Sequence, residues 1–212
     1  MHVDASIERF HRKVVWGGRA RAAVLLLCAM VLPSSCSESV RTGQSNSYLV
    51  ITTLQGLKGG GTNANTPDVN LDSDVITLVP ALTGTPTIFG DTGTATFRLV
   101  MKDTLNGPTD VNAITLTQYH VKYMRSDGRN VQGVDVPYEF DGGMAQTISG
   151  EGSAGFMLVR NQAKTEAPLA ALVNNNGIIS TIAEVTFYGH DQSGRAVSVS
   201  GRLDINFSNW AD

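Results

Sequence analysis

The sequence predicts an all-β protein, a sandwich of antiparallel strands, about eight or nine of them, with one short crossover helix. Three observations carry that expectation. Apolar and polar residues alternate with a period of two in segment after segment, which places one face of each strand in a core. Clusters of Gly, Asn, Asp and Ser interrupt the chain between those segments. Charged residues make up only 17% of the 212, against about 25% in ordinary soluble domains, and Gly contributes 22. That composition disfavours a helical bundle or a coiled coil.

The first segment, residues 1–35, stands apart. Arg9, Arg12, Lys13, Arg19 and Arg21 precede Ala22–Leu32, an unbroken apolar run of 11 residues. As a helix it would span about 16 Å, short of the ~30 Å hydrocarbon core of a bilayer. A basic stretch followed by a short apolar run reads as an export signal. The run ends in Pro33-Ser34-Ser35-Cys36, followed by Ser37-Glu38-Ser39. This junction resembles a bacterial lipoprotein signal, although Pro33 stands where such signals usually carry Leu. The resemblance implies that Cys36 becomes an acylated first residue and anchors the chain to a membrane. The alternative is cleavage near Ser34 or Ser35, which releases a secreted protein. Cys28 leaves with the signal, so a mature chain retains Cys36 alone and forms no internal disulfide. Removing residues 1–35 takes away five basic and two acidic residues, so the net charge moves from −3 to −6. An acidic chain is a poor partner for nucleic acid.

Residues 36–47 are polar and aperiodic, as expected of a tether, and residues 48–212 read as one domain. The first strand is expected over 48–54, before Lys58-Gly59-Gly60-Gly61 breaks the pattern. A second is expected over 74–79, stopped by Pro80. Ala95, Phe97, Leu99 and Met101 mark one face of a third. Residues 114–125 form a fourth whose apolar parity switches between Leu116 and Tyr119, implying a bulge near Thr117-Gln118. Ser126-Asp127-Gly128 predicts a tight hairpin returning through Val134 and Val136. Residues 143–149 and 156–160 read as a further hairpin pair. Pro168–Val173 predicts the crossover helix, with Pro at its first position. Residues 179–188 and 197–207 are the last hairpin, with Val197, Val199, Leu203, Ile205 and Phe207 on one face.

In that last hairpin, Asp191-Gln192-Ser193-Gly194-Arg195 joins two alternating strands. It resembles the closing hairpin of bacterial immunoglobulin-like domains, with Arg195 in place of the usual Asn. The chain as a whole is similar to exported bacterial lipoproteins. The resemblance implies an immunoglobulin-like sandwich used for display, spacing or adhesion.

Side chains that could carry chemistry are few. Asp68, Asn70, Asp72 and Asp74 alternate like the opening of a calcium loop. Ser73 occupies the place of the loop's Gly, and Val79 that of its bidentate Glu; a solvated turn is the plainer reading. His120 and His190 are the two histidines beyond the signal, without further metal ligands at short spacing. Glu139, Asp141 and Glu184 are carboxylates that could act on a glycosidic bond. Tyr119, Tyr123, Tyr138 and Trp210 could stack on sugars, though aromatics two apart on a strand more often pack a core. Glu151-Gly152-Ser153-Ala154-Gly155 lacks the first Gly of a nucleophile elbow. The expectation is a non-enzymatic structural or interaction module of the cell envelope, with an envelope protein or a glycan as its partner. Carbohydrate binding is the alternative, followed by a hydrolase without a motif.

Overall fold

Strands dominate residues 45–61, 64–105 and 107–210, which the computed structural model of the chain describes. They belong to one compact unit, Thr42–Asp212. The fold class is all-β. Eleven strands run in order: β1 Ser47–Leu57, β2 Pro67–Asp68, β3 Asn70–Asp74, β4 Thr77–Val79, β5 Thr85–Thr87, β6 Asp91–Met101, β7 Ile114–Met124, β8 Phe140–Ile148, β9 Glu151–Val159, β10 Ile179–Asp191 and β11 Ala196–Ser208. A four-stranded sheet has the order β2-β1-β6-β9, and a five-stranded sheet the order β3-β11-β10-β7-β8. β4 and β5 form a separate small hairpin. All pairings between these strands are antiparallel except β3 with β11, which is parallel.

The inward residues of both sheets meet in one core. Phe97 of β6 stands edge-on to Phe187 of β10, with centroids 4.9 Å apart, and Phe156 of β9 approaches the same ring at 5.2 Å. Tyr119 of β7 lies 5.5 Å from Phe156. Leu71, Ile114, Leu116, Leu158, Ile205 and Phe207 are fully buried around these rings.

The parity switch in the fourth strand is present. Ile114 and Leu116 are buried, Thr117 and Gln118 are both exposed, and Tyr119, Val121 and Tyr123 are buried again. The register shifts at that point against β8, and opposite it against β10 between Tyr188 and Gly189. The closing pair β10–β11 runs in unbroken register from Ile179↔Phe207 to His190↔Ala196.

Four expectations are corrected. The second strand is divided: Asp74 ends β3, where it is held by Trp210 N–H at 3.2 Å, and the chain turns before β4 begins at Thr77. The tight hairpin after β7 is a long connection, residues 125–139. There Arg125 and Arg129 both clasp Asp127 at 2.8 Å, and Pro137 has no N–H to extend a ladder. Val134 is exposed, and Val136 is buried outside any strand, with one bridge to Gln132. The expected hairpin pair around Gly150 does not pair with itself. β8 joins β7 in one sheet and β9 joins β6 in the other, so Ser149-Gly150 crosses between sheets. The crossover from β9 to β10 contains a short helix α1, Asn161–Thr165, and then a 3-10 turn, Leu169–Asn174, that Pro168 precedes rather than begins.

Candidate functional site

The positions singled out in the sequence fall in different places. Asp68 accepts the N–H of Asn70 at 3.0 Å, a local turn contact. Asn70 and Asp72 project outward from β3, where Asn206 Nδ2 reaches both, at 3.3 and 3.1 Å. Asp74 is buried, with one carboxylate oxygen 3.3 Å from Lys58 Nζ and the other accepting from Trp210 N–H. Asn70 and Asp72 thus share the Asn206 amide, while Asp68 and Asp74 are engaged elsewhere. Among the described residues, no group of three or more His, Cys, Asp or Glu is placed to hold a metal ion.

His120 faces outward from β7 between two carboxylates. Its Nδ1 is 2.9 Å from Asp141 Oδ1, and its Nε2 is 3.7 Å from Glu139 Oε2. The structure therefore brings His120 beside two of the three carboxylates that the sequence grouped for glycosidic chemistry. Glu184 is not among them, since it pairs with Arg202 at 2.6 Å. His190 contacts the backbone carbonyl of Asp191 at 3.1 Å in the last hairpin. The aromatic residues do not assemble a platform. Tyr119 and Tyr123 are buried, and the Trp210 indole N–H donates to Ser73 O at 3.3 Å. Tyr138 alone of the three tyrosines is largely exposed. Cys36 and residues 1–35, where an export signal is expected, lie outside the described residues.

The most concentrated chemistry is a buried cluster for which the sequence offered no motif. Asp91 opens β6 on its inward face, in the same parity as Gly93, Ala95 and Phe97. One of its oxygens accepts Gly59 N–H at 2.9 Å; the other accepts Ser73 Oγ–H at 2.6 Å and lies 2.9 Å from Lys164 Nζ. Lys164 comes from α1, and its ammonium also donates to the Asp74 carbonyl at 2.7 Å. Burial pushes the Lys164 ammonium below its ordinary range, and the attraction of Asp91 opposes that without cancelling it. Tyr123 borders the cluster. Burial, reinforced by the Asp91 charge, holds its phenol protonated far above the usual tyrosine range, and its hydroxyl donates to Leu158 O at 2.6 Å. Lys58 and Asp74 complete two cation–carboxylate pairs, so the cluster carries no formal net charge. A charged residue at an inward position of the clearest alternating strand was the one available signal for it.

Both rims of the domain expose apolar side chains, Leu105 and Val111 among them on the connection from β6 to β7 at the entry rim. The chain enters β1 at the rim where Ser47 pairs with Met101, close to the β10–β11 turn. There the Asp191 carboxylate, although raised by burial, is held below its ordinary range by Arg195 N–H, by the Ser45 hydroxyl and by Ser193 N–H. The opposite rim carries the long connections. Val131, Val134 and Tyr138 are exposed on the β7–β8 connection, with Val134 at 67%, and Ile178 is exposed just before β10. Comparison with protein-family models gives no match, and comparison with curated proteins gives none.

Proposed function

We propose that this chain is a bacterial cell-envelope lipoprotein, acylated at Cys36, whose immunoglobulin-like β-sandwich acts as a non-enzymatic interaction module. The observation that carries the reading is the exposed apolar connection between β7 and β8, at the rim away from the start of β1. The chain enters at one rim, and the other leaves Val131, Val134 and Tyr138 open to solvent on a connection supported by paired strands. In this reading an anchor upstream of β1 holds the domain, and the β7–β8 connection meets a partner. Sheets of four and five strands with a common core, and an early strand that returns beside the last one, support the immunoglobulin-like assignment. The negative charge favours an envelope protein over nucleic acid as that partner.

Two measurements on the full chain in a bacterial host test this. Feeding a fatty-acid analogue should label the wild type and leave Cys36→Ser unlabelled; an unlabelled wild type overturns the anchor. A photo-cross-linking residue placed at Val134 should capture an envelope protein, while the same residue at Leu105, on the entry rim, should not. Equal capture from both positions, or none from Val134, overturns the interaction reading.

A further inference from the structure

We propose that Lys164 and Asp91 are joined after folding by an intramolecular amide bond between Nζ and the Asp91 side-chain carbonyl carbon. Three features of the cluster support the reaction. The amine nitrogen already lies 2.9 Å from Asp91 Oδ2, and both side chains have no exposed surface. The carboxyl group is polarised by two further donors, Gly59 N–H on one oxygen and Ser73 Oγ–H on the other. The Asp74 carbonyl, 2.7 Å from Nζ, fixes the direction of the nitrogen.

The chemistry balances without any added reagent. A proton passes from the Lys164 ammonium to Asp91, turning the ion pair into an amine and a carboxylic acid. Exclusion of water favours that neutral pair, because desolvation penalises both charged forms. The lowered proton affinity of the buried Lys164 amine acts in the same direction. The nitrogen lone pair attacks Cγ, the Cγ–Oδ2 bond breaks, and Oδ2 leaves as water with one proton from the acid and one from the nitrogen. Ser73, in contact with Oδ2, relays a proton and recovers its own. One C–N bond replaces one C–O bond, and nothing is oxidised or reduced. Amine and carboxyl groups held in contact react as though at very high local concentration, and a dry site opposes hydrolysis of the product. The bond would tie the start of β6 to α1, closing the chain between residues 91 and 164 and restricting its unfolded states much as a disulfide does.

Peptide mapping by mass spectrometry on the purified full chain tests the proposal. The wild type should yield a branched peptide containing both Asp91 and Lys164, lighter by one water than its two arms, and a lysine-specific protease should fail to cut after Lys164. Lys164→Gln should yield the Asp91 peptide in linear form. Because the reading is made on the wild type, poor folding of the variant does not weaken it. Linear peptides with intact Asp91 and Lys164 in the folded wild type overturn the proposal, as does a branch that joins Lys58 to Asp74 instead.

Discussion

Asp191 ends β10 at an inward position, nearly buried, a place where a carboxylate survives only if its oxygens are satisfied. Its Oδ1 accepts N–H groups from Ser193 and Arg195, each at 2.9 Å, and the Ser45 hydroxyl adds a third contact from the segment leading into β1. The carboxylate thus both shapes the last turn and fastens the start of the domain to it. Because the folded-state carboxyl is held below its ordinary range, its contribution is present above the unfolded value of about 3.9 and is lost as pH falls through the folded value. Asp191→Asn should therefore lower stability at neutral pH by about 1–2 kcal/mol. The gap between variant and wild type should close in acid, as the wild-type carboxyl takes up its proton. Urea denaturation at several pH values measures this, and a gap independent of pH would count against the charge as its cause. Asp91 and Asp191 share one lesson: each continues the inward parity of its strand beyond the bounds read from the sequence, and its distant partner has no local signal. Lys164 follows β9 in a polar stretch with nothing local to mark it as buried, and Ser45 precedes the first strand.

At the scale of the element, alternation could be read, and with it the closing β10–β11 pair, but the other pairings could not. The bulge in β7 was legible because parity is local: Ile114 and Leu116 against Tyr119 and Val121. The opposing irregularity in β10 falls at Gly189, whose missing side chain lets the strand pass against the Thr115 carbonyl and the Leu116 backbone. A methyl group there would press on backbone atoms that the bulge has already brought close. Gly189→Ala should cost about 1–3 kcal/mol, measured by chemical denaturation, whereas Gly143→Ala, which meets nothing nearby, should be close to neutral. Equal effects would remove the close approach as the reason for Gly189. By contrast, β3 has the composition of a turn. It is a strand because β11 offers it a parallel edge, and Asp72 meets Asn206 across 134 positions of chain. β8 and β9 look like a hairpin because they are adjacent in sequence, yet each finds its ladder in a different sheet.

Across the described domain, aromatic contacts join the two sheets at the centre. Phe187 belongs to the five-stranded sheet, and it meets Phe97 and Phe156 of the four-stranded one at near-perpendicular angles of 87° and 85°. Edge-to-face pairs of this kind add about 0.5–1.5 kcal/mol beyond the burial of their surface. Truncating either ring also leaves a cavity, at a cost of about 3–5 kcal/mol for Phe to Ala in a core. Phe97→Ala and Phe187→Ala should each fall in that range. The double variant should lose less than the sum of the two, because the second truncation removes no contact between these rings that the first has left intact. If the two sheets fold as one unit, far-ultraviolet circular dichroism and Trp210 fluorescence should report a single coincident transition in the wild type. That comparison is made on Trp16→Phe, which leaves Trp210 as the one tryptophan. Trp210 is well placed as a probe, because its N–H groups bind Asp74 and Ser73 at the far rim from the Asp191 turn. Strict additivity of the two truncations, or separate transitions for the two probes, would show that the central rings do not couple the sheets.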